Sequence, residues 1–154
     1  MKDFAAQDEN YEMRVRESFS KQKLMQTIGA SLTKVLPGEV EISLAFRDDL
    51  TQQHGFIHAG VVATLADTAC GYAAFSLMAP DAAVLTVEYK INLLSPAVGE
   101  SLIACGKVTK PGRTLTVCSG DVFAFKDGEK KMVATMIATM MSIRGREGLI
   151  GSNT

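Results

Sequence analysis

A single carboxylate in an apolar stretch is the residue of this sequence best placed to do chemistry. Residues 52–78 open with a polar loop that holds both histidines, and continue as a run of small or apolar residues around one charge, Asp67. Burying a carboxylate is costly unless it finds a partner, but a carboxylate also serves as a general base or a nucleophile. Asp67 is therefore either a structural residue bonded to a nearby hydroxyl, such as Thr64 or Thr68, or a catalytic residue.

Other chemistries fit the sequence less well. His54 and His58 are four residues apart, a spacing that suits two metal ligands on one helix. Their surroundings, QQHGF, are typical of a loop and offer no third ligand, so we predict no metal site. No G-x-S-x-G motif is present, which argues against that class of serine hydrolase. Cys70, Cys105 and Cys118 stand in apolar contexts and are predicted to be reduced, buried thiols.

Composition limits the fold and the partners. The chain has 154 residues, 47% of them hydrophobic and 21% charged, with a formal net charge of −1. These values predict one globular domain over residues 1–154, with residues 1–10 and 145–154 flexible. The balanced charge predicts no nucleic-acid partner. The mixed charges of the N-terminal residues give no secretory signal, and with the free cysteines they predict a cytoplasmic protein.

The apolar residues 57–79 are numerous enough to raise the question of a membrane span. Asp67 near their centre argues against a span, because a carboxylate is expensive in the middle of a bilayer. The stretch is also rich in Ala, Gly and Thr rather than in Leu and Ile. We therefore predict a central helix with apolar residues all the way round, enclosed by the rest of the protein, and no membrane partner.

Hydrophobic periodicity predicts the elements that must position Asp67. Residues 11–28 suit one or two amphipathic helices, and the alternation in residues 83–94 is typical of a half-buried strand. The other predicted strands, separated by turn signals such as Pro-Gly and Asp-Gly, are 30–36, 39–46, 101–109, 114–125 and 131–143. This order predicts an α+β fold in which a curved antiparallel sheet of about six strands wraps around one long central helix.

Two motifs in this order of elements, HAGVVATLAD and TVEYKINLLSPAVGE, resemble the hotdog-fold acyl-CoA thioesterases, in the branch named after the phenylacetic-acid-degradation thioesterase. The likeness spans about residues 20–144. The family has Asn or Gln, then His-Gly-Gly opening the helix, then Asp or Glu nine residues after the His. Gln52, His58 and Asp67 stand at those positions. Ala59 replaces the first Gly and keeps its N–H, while Gly60 retains the second.

The resemblance implies hydrolysis of acyl-CoA to free acid and CoA, with no metal or cofactor beyond the CoA of the substrate. In that role Asp67 is the base or nucleophile, and Gln52 positions the water or the thioester. The Ala59 N–H polarises the carbonyl, and His58 shapes the site. The first turn of a helix has N–H groups without helical partners and a dipole that favours negative charge, which suits a developing oxyanion.

Substrate contacts are predicted at five further positions. Gly60, Thr68 and Thr86 are expected near the reacting group, although most Thr residues on helices and strands are structural. Gly112 and Arg113 lie in the basic turn KPGRT. Related thioesterases place a basic residue near this turn for the nucleotide phosphates of CoA, and the alternative is an ordinary solvated turn.

Helix geometry separates the two halves of the expected site. Asp67 is nine residues beyond His58, which on one helix is about 13 Å. A base and an oxyanion site that far apart cannot serve one carbonyl. The catalytic hypothesis therefore requires a homodimer in which two central helices lie antiparallel, and the resemblance implies that such dimers pair into homotetramers.

Two alternatives remain open at this point. The first is a hotdog protein that binds acyl-CoA without catalysis, as a sensor or carrier, with Ala59 in place of Gly as its sign. The second is a hotdog dehydratase, whose Asp/His arrangement fits this spacing less well. The sequence does not specify the acyl group.

Overall fold

The computed structural model describes residues 4–145, which form three α-helices, a short 3₁₀ helix (Asp48–Leu50) and one six-stranded antiparallel sheet. The helices are α1 (Tyr11–Ser20), α2 (Lys23–Ile28) and α3 (Ala59–Phe75). The strands are β1 (Ala30–Leu36), β2 (Glu39–Ala45), β3 (Ala82–Leu93), β4 (Ser101–Lys110), β5 (Leu115–Lys126) and β6 (Glu129–Arg144). The predicted α+β order is confirmed, and α3 ends earlier than the apolar run because residues 76–79 turn out of the helix before Pro80.

The sheet has the strand order β1-β2-β4-β5-β6-β3, so the two strands that flank α3 in sequence lie far apart in the sheet. The connection between them is α3 itself, which packs across one face of the sheet. Alternate residues of β2, β4 and β5 are buried beneath the helix, as period-two alternation requires. The strand β3 lies at one edge, with β6 on its inner side.

Two glycines allow α3 to lie close to the sheet. A Cβ atom added to Gly106 of β4 would lie 2.2 Å from the carbonyl oxygen of Ala69. A Cβ atom added to Gly120 of β5 would lie 2.7 Å from the sulfur of Cys70. The first contact is with helix backbone, which cannot move aside without shifting α3 as a whole.

We expect Gly106→Ala to lower the free energy of unfolding by about 3 kcal/mol, since it overpacks a site closed by backbone atoms. Urea unfolding followed by circular dichroism measures the loss. Ser119→Ala, a half-buried position facing away from α3 on β5, is the control and should change stability by less than about 0.5 kcal/mol. Equal stabilities for the two variants would contradict the close packing.

The C-terminal end of α3 is capped by Arg14 of α1. Its guanidinium donates hydrogen bonds to the carbonyls of Phe75 (3.2 Å), Met78 (2.7 Å) and Ala79 (2.7 Å). It also lies 4.3 Å from the centre of the Phe75 ring and 3.0 Å from a carboxylate oxygen of Asp8. Carbonyls at a helix end lack intrahelical partners, so this one side chain both satisfies them and fixes α1 against α3.

The segment before α1 makes specific contacts, and the flexibility expected for residues 1–10 stays a prediction. Phe4 packs against the hydrophobic core, the side-chain amide of Gln7 donates to the carbonyl of Leu77 at 3.0 Å, and Asp8 is buried. Its polar composition did not reveal these contacts. The outer parts of both predicted flexible ends, residues 1–3 and 146–154, lie outside the described residues.

The prediction that α3 is enclosed on all sides is wrong for the protomer. The face that carries Leu65 and Ala69 is fully buried against the sheet, while Thr64, Asp67 and Gly71 on the opposite face are only partly covered. The reason is that small residues make the far face look apolar without supplying large side chains to bury. No helix within residues 4–145 has the length and hydropathy of a membrane span.

Candidate active site

Asp67 lies in the middle of α3 with its carboxylate partly buried, and its hydrogen-bond partner comes from the sheet. The hydroxyl of Thr86 on β3 donates to Oδ1 of Asp67 at 2.8 Å. Thr86 stands where the pairing of β3 with β6 shifts register, between Thr86 and Glu88. The hydroxyl of Thr64, an expected partner, instead donates to the carbonyl of Gly60 at 2.8 Å, in its own helix.

Burial raises the pKa of Asp67, and the hydrogen bond from Thr86 opposes that shift by stabilising the carboxylate. A carboxylate with a raised pKa is a stronger base once it is ionised. The carboxylate of Asp67 also lines a cavity, so a substrate bound in that cavity can reach it. Such a combination of desolvation and access is typical of functional carboxylates.

Removal of the Thr86 hydroxyl is expected to move the pH dependence of any reaction that uses Asp67 as a base. Thr86→Val removes the hydrogen bond that opposes the effect of burial, so the pKa of Asp67 rises further and the acidic limb of kcat/KM moves to higher pH. Thr86→Ser keeps a hydroxyl and is the control, with the limb at its wild-type position. A pH–rate profile for each variant measures the shift, and coincident profiles for Val and wild type would contradict it.

Asp67 opens into a cavity of about 560 Å³ that lies between α1, α2, α3 and β3. At its far wall, which no motif in the sequence indicated, the hydroxyl of Tyr72 lies 3.0 Å from the side-chain amide of Gln22 and 3.2 Å from the hydroxyl of Ser18. Thr68 and Thr86 also line this cavity. A tyrosine five residues after the carboxylate was the only local signal, and its partners on α1 and before α2 become visible only in the fold.

The N-terminus of α3 forms a separate feature. His58 is the N-cap, and its Nδ1 accepts a hydrogen bond from the N–H of Gly60 at 2.8 Å, which puts the proton of a neutral ring on Nε2. The N–H of Ala59 has no acceptor among residues 4–145. The first turn of α3 therefore presents one free backbone donor, at the position where a negatively charged oxygen is favoured.

Gln52 belongs to a tight loop in front of this helix. Its N–H donates to the carbonyl of Phe56 at 2.8 Å, and its side-chain oxygen accepts from the N–H of His54. Gln52 and Ala59 line a second cavity of about 370 Å³, whose opposite wall includes Leu93. The loop thus places Gln52 in the cavity that Ala59 lines and not in the cavity of Asp67.

One protomer therefore holds two candidate half-sites. The first is the Asp67 carboxylate in its cavity, and the second is the Ala59 N–H with Gln52 and His58. Ala59 and Asp67 are eight residues apart on one helix, about 12 Å along its axis, and they line different cavities. No group of three or more His, Cys, Asp and Glu side chains suited to a metal ion occurs in the described part of the chain.

Two predicted substrate contacts lie away from both half-sites. Gly112 and Arg113 are exposed on the turn between β4 and β5 and line neither of the two cavities. The turn itself explains why residue 112 is a glycine, because a Cβ atom at this position would lie 2.1 Å from the carbonyl oxygen of Leu115. Their role in binding substrate stays a prediction.

The cysteines do not contribute a nucleophile to this site. Burial raises the pKa of the Cys70 thiol, and it raises that of Cys118 to about 12, so both stay protonated. Cys105 is only partly buried, in contrast to the expectation that all three are buried, because it faces away from α3 on β4.

Comparisons with known proteins cover most of the chain. Residues 54–131 match the family model described as the thioesterase superfamily. A crystal structure of a thioesterase family protein from Silicibacter pomeroyi is 54% identical, with a TM-score of 0.87 over 88% of this chain and 99% of that one. The PaaI protein of E. coli, from the phenylacetic acid degradation operon, shares the fold at 19% identity, with a TM-score of 0.79 over 91% of this chain and 98% of that chain.

A curated human relative, acyl-coenzyme A thioesterase 13, is 30% identical over 95 residues. The match covers 60% of this chain and 66% of the human protein, so it spans just under two thirds of that relative's length.

Proposed function

The chain belongs to the thioesterase superfamily and has the hotdog fold, as its motifs predict, and on this premise we propose that it hydrolyses acyl-CoA thioesters to free acid and CoA. The observation that carries the proposal is the partly buried carboxylate of Asp67, held by Thr86 at the mouth of a cavity. Thioester hydrolysis needs a base or a nucleophile and a donor for the oxyanion. A human relative named as an acyl-coenzyme A thioesterase supports CoA as the carrier.

In the proposed reaction Asp67 acts as a general base. Its carboxylate takes a proton from a water molecule whose oxygen attacks the thioester carbon. The resulting oxyanion accepts a hydrogen bond from the free N–H of Ala59. When the oxyanion collapses the C–S bond breaks, and the protonated Asp67 returns its proton to the departing CoA thiolate, which releases CoA and the acid. Direct attack by Asp67 would form a mixed anhydride instead, with loss of CoA as the C–S bond breaks. In a single turnover in ¹⁸O-labelled water, general-base catalysis puts the label in the product acid alone, whereas label in the side chain of Asp67 would indicate an anhydride opened by water at the Asp67 carboxyl carbon.

Two chains are required, and the edge of the sheet supports their pairing. The strand β3 has no partner on its outer side among the described residues, and its apolar side chains Leu85, Val87 and Tyr89 are 47%, 50% and 45% exposed. Natural proteins rarely leave a long apolar edge uncovered. We infer that β3 pairs with β3 of a second copy, so that Ala59 of one chain faces Asp67 of the other. Pairing of such dimers into a homotetramer is a further expectation.

The remaining contacts complete this scheme. Gln52 and His58 act with Ala59 from the partner chain, Gln52 on the water or thioester and His58 as the cap that orients the first turn. Thr68 lines the acyl cavity, Gly60 supports the cap, and Gly112 and Arg113 on their exposed turn approach the nucleotide phosphates of CoA. The carboxylate and the N–H supply the chemistry, so the scheme uses no metal or added cofactor. The three free cysteines of the protein are consistent with the proposed location in the cytoplasm, where thiols are kept reduced.

An acyl-CoA panel tests the proposal directly. Acetyl-, octanoyl-, palmitoyl- and phenylacetyl-CoA are incubated with the protein, and free thiol is followed with DTNB while light scattering after size exclusion gives the oligomeric state. We expect thiol release from at least one substrate and a dimer or tetramer. Tight binding of intact acyl-CoA with no thiol release would contradict hydrolysis and would indicate a sensor or carrier of acyl-CoA. An active monomer would contradict the site shared between two chains.

A further inference from the structure

Gly71 occupies the interior of α3, four residues after Asp67, where a glycine has no evident structural reason. Glycine in a helix interior lowers stability relative to alanine. Gly71 does not have a positive φ, so its backbone conformation does not require glycine. A Cβ atom added there would meet no heavy atom within 4 Å. Neither conformation nor packing within the protomer therefore explains the residue.

The other glycines near α3 show what a packing requirement looks like. At Gly106 and Gly120 an added Cβ atom would collide with α3 at 2.2 Å and 2.7 Å. Those two lie on the sheet beneath the helix, whereas Gly71 lies on the opposite face and lines the cavity that holds Asp67. The missing side chain of Gly71 therefore adds open volume to the cavity beside the carboxylate.

The walls around this volume are held in place. The hydroxyl of Tyr72 is fixed by Ser18 and Gln22, and its ring packs edge-on against Phe19 and Phe75. Hydrogen bonds from Arg14 of α1 to the last residue of α3 and to the residues that follow it secure the same wall. A methyl group added at residue 71 would therefore take space from the cavity, because the side chains around it are not free to retreat.

Residues four apart on a helix share one face, and Gly71 lies about 6 Å along the axis from Asp67. An acyl carbonyl at Asp67 would thus have its next carbon atoms over Gly71. We propose that Gly71 is a specificity-determining residue that admits acyl groups broad at the carbons next to the thioester, such as ring-bearing ones. This proposal rests on the proposed function, since it assigns the acyl group to the Asp67 cavity.

The test compares a broad and a narrow substrate in Gly71→Ala and Gly71→Val. We expect kcat/KM for phenylacetyl-CoA to fall by about ten-fold in the alanine variant and further in the valine variant. For acetyl-CoA, which does not fill the space, the change should stay within about two-fold. Gly71→Ala should also raise Tm, because alanine favours the helix and fills only empty volume.

A packing role for Gly71 at a dimer interface gives the opposite pattern. A lower Tm, dissociation of the oligomer in light scattering, or equal losses for both substrates would overturn the proposal. Calorimetric titration of Asp67→Asn with phenylacetyl-CoA, with and without Gly71→Ala, tests the same cavity without turnover. Weaker binding in the double variant supports the cavity role and equal binding refutes it, whereas a wild type that releases no thiol refutes only the proposed hydrolysis.

Discussion

Asp67→Asn is expected to lower kcat for acyl-CoA hydrolysis by about a thousand-fold, because the amide cannot accept the proton of the attacking water. The side-chain shape is kept, and the oxygen of asparagine can still accept the hydrogen bond that Thr86 donates to Oδ1 of Asp67. The loss is therefore chemical rather than structural. Initial rates with DTNB across the acyl-CoA panel measure it, and full activity would remove Asp67 from the mechanism.

The same variant should be more stable than wild type at neutral pH. Burial raises the pKa of Asp67 in the folded protein above its unfolded value. The folded state therefore holds this proton more tightly, and the resulting stability is present at low pH and is lost as pH rises through the folded pKa. Asparagine never ionises, so it avoids that loss. We expect a higher Tm for Asp67→Asn at neutral pH and a smaller difference in acid.

Asp121 provides a matched control for both measurements. It is a part-buried carboxylate that accepts a hydrogen bond from a threonine, Thr135, at 2.7 Å, but it lies on β5 facing away from α3. Asp121→Asn should leave kcat unchanged. A comparable fall in both aspartate variants would indicate a general effect on the fold and would contradict a specific role for Asp67.

The second large effect is expected from Ala59→Pro, which removes a single backbone N–H. Ala59 is the first residue of α3, the helix position where proline is favoured. His58 has φ −59° and ψ 137°, a conformation that a following proline accepts. The helix should therefore form as before while the oxyanion donor is lost. We expect kcat to fall by about a hundred-fold or more, with circular dichroism and Tm close to wild type.

Ala59→Gly is the control that distinguishes loss of the backbone N–H from loss of the alanine methyl group. It keeps the donor and restores the residue that the family carries, so its kcat should be close to wild type. If Ala59→Pro retained full activity, the oxyanion would have to be stabilised elsewhere.

The two inactive variants together test the shared site. In a mixed dimer of Asp67→Asn and Ala59→Pro chains, one site combines both defects, and the other combines the intact Asp67 of one chain with the intact Ala59 of its partner. Mixed dimers isolated with two different affinity tags should therefore show about half of wild-type activity. Inactive mixed dimers would mean that each chain builds its own site, against the separation of the two cavities.

Much of the fold follows from local pattern. The alternation in residues 39–46 and 101–109 specified strands, because every second side chain must be buried beneath α3. Asp67 also stood out in the sequence, since it is the only charge in a long apolar run. The hypothesis of a site shared by two chains also follows from the sequence, because the rise of a helix per residue sets the distance between Ala59 and Asp67.

The sequence alone thus determined the elements, the candidate carboxylate and the candidate oxyanion donor, all of which depend on neighbours along the chain. Only the tertiary structure decided that Thr86, and not Thr64, holds Asp67. It also decided that Ser18 on α1 and Gln22 between α1 and α2 meet Tyr72 to close the cavity. It also distinguished Gly106, where a side chain would collide with the backbone of α3, from Gly71, where a side chain would extend into open space. Such contacts join residues far apart in sequence, and they depend on how the helices dock on the sheet, which periodicity and spacing do not encode.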